Sequence, residues 1–216
     1  MIRRTLRHVI LVTLFAVAPA SIRAQAQAVI EPMLAPGEEV ETRLTGDFNA
    51  DGQPDLAYVA RRDDERQLRV ALSFVNELEL GTEVEERLAL PPTLLGPAGL
   101  EFQRGVLIVT DLSGGTTAIR TIYRFRRDKA GKPGAWMRLI GLDATLYSRT
   151  WAHDGFELSW NLLTGAMTTR RLRLASGGGD AGYLPSKSRA STRRTAPVWL
   201  ANTPDPDELI QELSGR

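Results

Sequence analysis

Beyond Pro36 the chain alternates apolar and polar residues with a period of two almost throughout, and this alternation limits it to β-structure. Leu68, Val70, Leu72 and Phe74 share one face of Gln67–Phe74, and Phe156, Leu158, Trp160 and Leu162 alternate with Glu157, Ser159 and Asn161. Ile119, Thr121, Tyr123 and Phe125 alternate with Arg120, Arg124 and Arg126, and Trp136 to Leu142 adds a further strand. Gly105–Thr110 is a continuous apolar run, which reads as a central strand. Turn signals separate these runs at Asp51-Gly52, Ser113-Gly114-Gly115, Gly131–Gly134, Asp154-Gly155 and Thr164-Gly165. The pattern predicts an all-β, antiparallel protein. Helix is confined to Pro206–Leu213, where Asp205 supplies an N-cap and Glu208 stands three residues on.

Residues 1–26 have the pattern of a cleavable export signal. Arg3, Arg4, Arg7 and His8 make a basic start, Val9–Ala18 is apolar, and Ala24-Gln25-Ala26 places small residues at a cleavage site after Ala26. A membrane span needs roughly 20 apolar residues, about twice this run. The segment holds four Arg (3, 4, 7 and 23) and no acid, so 27 less 4 leaves 23 bases against 26 acids, and the +1 total becomes −3. Export to the periplasm or the extracellular space follows, with no membrane span after signal removal. Cys is 0, which removes disulfides, thiolate metal sites and Cys nucleophiles, and only two His exclude a multi-histidine metal site.

The remaining organisation is a β domain over 27–174, a flexible basic excursion over 175–195 and a C-terminal segment over 196–216 that docks on the β domain. Gly177–Gly179, Lys187, Arg189, Arg193 and Arg194 make the excursion polar and basic, but Tyr183 is its one aromatic, so it lacks the interleaved rings of a nucleic-acid surface. No nucleic-acid partner is expected. The partner is a protein or glycan of the envelope.

One constellation carries chemistry. Gly46–Leu56 places Asp47, Asn49, Asp51, Gln53 and Asp55 at alternating positions around Gly52. Calcium takes six to eight hard oxygen ligands, and a tight loop turns positions one, three and five inward while a glycine at six permits the bend. The Gln53 carbonyl and the Asp55 carboxylate would complete most of the shell. The opposing reading is an Asx-rich turn that caps a hairpin without metal. An EF-hand would put a bidentate Glu at position twelve, where this chain has Tyr58, and would need flanking helices rather than the strand-like Leu56–Ala60.

The Asp47–Leu56 segment resembles instead the calcium hairpin of FG-GAP (VCBS-type) repeats, which sits between two strands of a propeller blade. The resemblance covers about Thr45–Phe74 and implies that Asp47, Asn49, Asp51, Gln53 and Asp55 hold one structural Ca2+, with Gly52 on the turn. The remainder, with Gly114-Gly115-Thr116, Phe125, Leu139–Asp143 and Asn161–Gly165, looks similar to proteobacterial envelope proteins carrying one such loop. No second copy of the loop occurs, and the 190 residues after the signal are short for several blades of about 40–50 residues each. The expected architecture is therefore a meander of propeller-blade-like sheets rather than a closed seven-bladed propeller.

Catalytic candidates are sparse. His153 and Asp154 are adjacent, so on a strand they face opposite ways and cannot form a base and its orienter. Asp111, Asp143 and Glu157 are the available carboxylates for a hydrolase acting on polysaccharide or cell-wall material. Trp136, Trp151 and Trp160 are candidates for a sugar platform or for the core. Ser113-Gly114-Gly115 lacks a following helix to receive a phosphate. The leading expectation is a non-catalytic binding or scaffolding domain, with the hydrolase as the alternative.

Overall fold

The computed structural model describes residues 30–75, 80–82, 85–132, 134–175 and 182–215, so the expected export signal and Gly177–Gly179 lie outside the described residues. Among the described residues fourteen strands follow one another: β1 (Glu39–Gly46), β2 (Asp55–Arg62), β3 (Glu65–Ala71), β4 (Ser73–Val75), β5 (Leu80–Thr82), β6 (Glu86–Leu90) and β7 (Gly99–Gln103), then β8 (Val106–Gly114), β9 (Thr117–Lys132), β10 (Ala135–Ser148), β11 (Gly155–Asn161), β12 (Ala166–Leu174), β13 (Tyr183–Pro185) and β14 (Arg189–Thr192). A 3₁₀ turn over Leu200–Asn202 and helix α1 (Pro206–Ser214) complete the chain.

All pairing between strands is antiparallel. A small sheet has the order β1-β2-β3-β6, and β4-β5 form a separate two-stranded ribbon. The large sheet runs β13-β12-β11-β10-β9-β8-β7, with β14 also paired to β12. The alternation dictates which faces meet. Val59, Leu68, Val70 and Leu88 of the small sheet join Leu107, Val109, Phe125, Leu139, Leu142 and Leu158 of the large one in a single core. Among the described residues the sheets do not close into a propeller.

The C-terminal segment completes that core. Leu200, Leu209 and Ile210 are buried in it. Helix α1 forms where the Asp205 carboxylate accepts from Asp207 N at 2.7 Å and Glu208 N at 3.4 Å, satisfying two free N–H groups of the first turn.

Strand β2 is buried on both faces, which the run Leu56–Ala60 announces. Ala57 and Val59 face the main core, while Leu56, Tyr58 and Ala60 pack against Ile30 and Val40 on the other side. The lead before β1 is pinned there: the Tyr58 hydroxyl accepts from Met33 N at 3.1 Å, and Arg69 donates to Met33 O at 2.8 Å and pairs with Glu38.

Two segments differ from the alternation. The strand expected through Phe74 stops at Ala71, and Phe74 is partly exposed on β4. The β2–β3 ladder ends with Leu56 opposite Ala71, and Ser73 N is taken by the Asp55 side chain rather than by a backbone carbonyl. Residues 182–195, expected as a solvated excursion, hold β13 and β14. Both are short edge strands held by backbone pairing to β12, and the Tyr183 hydroxyl of β13 accepts from Ser148 N at 2.7 Å and donates to His153 O at 2.9 Å.

Candidate metal centre and buried charges

The loop between β1 and β2 is fixed at both ends. Phe48, second in the Asp47–Asp55 run, is buried and packs edge-on against Phe102 of β7, with ring centroids 4.9 Å apart. Gly46 makes room for it, since a Cβ there would come within 2.8 Å of the Phe48 ring. Ala50 and Gly52 both adopt left-handed backbone, φ +62° and +83°. The Gly52 position favours glycine, and the Ala50 conformation is costly for a residue with a Cβ.

Four of the five expected ligand residues lie on the outer turn. The Asp51 N–H donates to Asp47 Oδ1 at 3.1 Å and to Asn49 Oδ1 at 3.0 Å, so these two oxygens converge on one donor. Gly52 N donates to Asp47 Oδ2 at 3.0 Å, and Gln53 N to Asp51 Oδ1 at 2.8 Å. The Asn49 amide donates to Asp51 Oδ2 at 3.0 Å and to Ser73 O at 3.2 Å. These are Asx turns, and each accepting oxygen keeps a second lone pair.

Asp55 sits apart from that set, fully buried beneath the loop. Its Oδ2 accepts from Phe48 N at 2.5 Å and Asn49 N at 3.1 Å, and its Oδ1 accepts from Ser73 N at 2.7 Å and Ser73 Oγ at 3.2 Å. Four bonds fill the four acceptor positions of a carboxylate. Burial pushes its carboxyl up to about 6, against the pull of those hydrogen bonds. Asp55 therefore ties both ends of the loop together. Its place at the head of the apolar Leu56–Ala60 run was the available sign that it turns inward.

The donor set of the outer turn is all oxygen, which suits a hard cation and not a soft one. Among the described residues, no group of three or more His, Asp or Glu side chains is close enough together to hold a metal ion. The turn instead combines two carboxylates, Asp47 and Asp51, with the Asn49 amide oxygen and the Gln53 carbonyl.

The carboxylates considered for catalysis are dispersed and paired. Asp111 faces inward and bonds Arg66; Asp143 pairs with Arg124 at 2.7 Å and accepts from Ser159 Oγ at 2.7 Å; Glu157 pairs with Arg170. His153 Nε2 lies 2.8 Å from Thr117 Oγ1 and Nδ1 lies 2.7 Å from its neighbour's carbonyl, Asp154 O, while the Asp154 carboxylate accepts from Leu174 N at 3.0 Å. Both ring nitrogens are thus taken by groups other than carboxylates. The tryptophans have separate surroundings: Trp160 is buried, Trp136 lies beneath Arg127 at 4.7 Å, and Trp151 is partly exposed against Tyr183 at 5.3 Å.

A second buried polar centre joins the two sheets. Arg66 of β3 donates to Glu41 Oε1 at 2.7 Å, Asp111 Oδ1 at 2.9 Å and Pro91 O at 2.7 Å. All three side chains are nearly inaccessible. Glu41 reaches this position through a bulge in β1 between Val40 and Thr42, and it also accepts from Ala98 N at 2.7 Å. Burial opposes the Glu41 charge, but Arg66 and Ala98 N outweigh it and hold the carboxyl below its usual range.

Compared with known proteins, the chain matches no family model, no curated protein and no solved structure. Among the described residues no helix is long and apolar enough to cross a membrane.

Proposed function

We propose that this chain is an exported, non-catalytic β-domain that acts by binding or scaffolding in the cell envelope, with calcium stiffening its β1–β2 loop. The observation that carries the metal reading is the convergence of Asp47 Oδ1 and Asn49 Oδ1 on the Asp51 N–H, at 3.1 and 3.0 Å. The turn concentrates oxygens at one end of two paired strands. Asp47, Asn49, Asp51 and the Gln53 carbonyl are the outer ligands, and the resemblance to FG-GAP loops adds Asp55, whose release from one of its four hydrogen bonds would be needed for it to ligate. The ion would neutralise two neighbouring carboxylates and rigidify the loop.

The binding role is supported by the state of the carboxylates: Asp111, Asp143 and Glu157 each face an arginine on a separate part of the sheets. A hydrolase needs two carboxyl groups with different environments facing one cleft. Export is supported by the residue pattern of 1–26.

The test is a thermal melt with calcium and with chelator. At calcium 100-fold above its Kd, binding to the folded state adds about 2.7 kcal/mol, and the midpoint rises by several degrees. Asp51→Ala abolishes that rise. An unchanged wild-type midpoint, or a rise that survives Asp51→Ala, rejects the metal site. Turnover of a cell-wall polysaccharide that is lost on a single carboxylate substitution rejects the binding reading.

A further inference from the structure

We infer that a groove between β10, the β11–β12 turn and the segment after β14 is a phosphate-binding site. The groove holds a cavity of about 360 Å³ lined by Arg138, Leu162, Thr164, Gly165, Arg194 and Thr195. It lies away from the β1–β2 loop and rests on different observations.

The arginines are placed by the fold. Arg193 N donates to Gly165 O at 2.8 Å, and Arg193 O accepts from Trp160 Nε1 at 3.0 Å. The Arg193 guanidinium lies over the Trp160 ring at 5.4 Å and bonds both Glu212 oxygens at 3.0 Å. With Arg193 held on both sides, the next side chain is directed across the turn. The Arg194 stem lies where a Cβ on Gly165 would meet its Cγ at 2.8 Å, so glycine at 165 makes room for it. Among the described residues Arg194 has no acidic partner. Its charge is therefore available.

Arg138 forms the opposite wall. Its backbone pairs with Trp199, and Leu139 N donates to Val198 O at 2.8 Å, which fixes the C-terminal segment against β10. Arg138 Nη1 bonds Asp128 Oδ2 at 3.0 Å. In the β9–β10 register Arg138 stands directly opposite Arg126, a like-charge cross-strand pair that weakens a sheet unless something offsets it. Asp128 offsets one of the two charges, which leaves this end of the sheet cationic.

The geometry selects the anion. A planar carboxylate is satisfied by one arginine, as both Glu212 oxygens are by Arg193 Nη1. Cations on two walls, with Thr164 and Thr195 also lining the cavity, suit an anion whose oxygens point in several directions. Thr164 Oγ1 accepts from Ala166 N at 3.2 Å, so its own proton is available to donate. The cavity exceeds a bare phosphate and falls in the size range of small-molecule pockets, and Leu162 and Leu163 give it an apolar side. A phosphate monoester or diester fits, whether on a soluble molecule or in a lipid headgroup.

Calorimetric titration of the purified protein at low salt, using glycerol phosphate, and cosedimentation with phosphatidylglycerol vesicles test the site. Glycerol phosphate is expected to bind, with affinity falling about tenfold in Arg194→Gln and in Arg138→Gln, as loss of one charge-assisted hydrogen bond implies. Arg120→Gln, an exposed arginine elsewhere on β9, leaves binding unchanged. Arg194 is exposed, so its substitution does not disturb folding, and an unchanged melting midpoint checks this. Arg194-dependent cosedimentation without glycerol phosphate binding identifies the headgroup as the source of the phosphate. Failure of both probes to bind, or binding indifferent to Arg194→Gln, overturns the proposal.

Discussion

The buried centres around Arg66 and Asp55 hold charge in opposite ways. Arg66 is matched by two carboxylates from strands of both sheets and by the Pro91 carbonyl. Among the described residues Asp55 meets no cation; backbone N–H groups and one hydroxyl surround it, from the β1–β2 loop and the start of β4. The first arrangement staples distant parts of the chain, and the second shapes a local turn. Their acid–base behaviour differs accordingly. Glu41 is held below the usual range by its partner, while Asp55 is raised to about 6 by burial.

The largest way to break the comparison is Arg66→Met. Removing the cation strands Glu41 and Asp111 in the interior, and loss of one partner from a buried pair costs about 3–5 kcal/mol. Urea unfolding measures this, and adding Glu41→Gln and Asp111→Asn to Arg66→Met recovers much of it. Equal stability of the single and triple variants would mean that the stranded carboxylates are not the source of the loss. Asp55→Ala comes next, at about 2–4 kcal/mol, because Phe48 N and Ser73 N lose their acceptor in the interior. Hydrogen exchange sharpens this result: protection is lost in the loop and at Ser73 first, not across the sheets.

A pH series separates the two centres by sign. Glu41 has a lowered folded pKa, so the unfolded state binds more protons; its contribution is present above the unfolded value near 4.5 and is lost as pH falls through the folded value. Asp55 has a raised folded pKa, so its contribution is full below 3.8 and is lost as pH rises through about 6. Measured in chelator, wild-type stability relative to Asp55→Asn therefore falls between about pH 4 and pH 7. A flat difference would show that the four hydrogen bonds cancel the effect of burial. The smallest effect belongs to Arg61→Gln, which removes an exposed pair with Glu39. Solvent screens that pair, so the urea midpoint stays at the wild-type value. It is the reference for what an ion pair contributes in water.

Much of the fold was legible in the alternation, and part of the polar core was too. Arg66 continues the inward face of Leu68 and Val70, Asp111 that of Leu107 and Val109, and Glu86 that of Leu88 and Leu90. A charged residue in phase with a buried face is a signal in its own right, distinct from the period that locates the strand. Glu41 was not legible, since it enters through a bulge that shifts the phase of β1. The cover of Ile30–Glu38 over β2 depends on tertiary contacts with Tyr58 and Arg69. The spacing of Asp47, Asn49, Asp51 and Gln53 foretold a shared turn, but spacing carries no information on burial, and so it did not separate Asp55 from the others.

The far edge of the large sheet has a consequence for a chain that carries no cysteine. Strand β12 is capped by two pieces, three residues of β13 and four of β14, with Ser186–Ser188 between them. A foreign strand arriving there meets no continuous ladder longer than four residues, and β14 meets it with Arg189. Pairing from molecule to molecule, the first step of fibril growth, gains too few hydrogen bonds to persist. The interrupted edge offers a neighbouring copy little to pair with, in a chain that has no cysteine to lock the sheet shut.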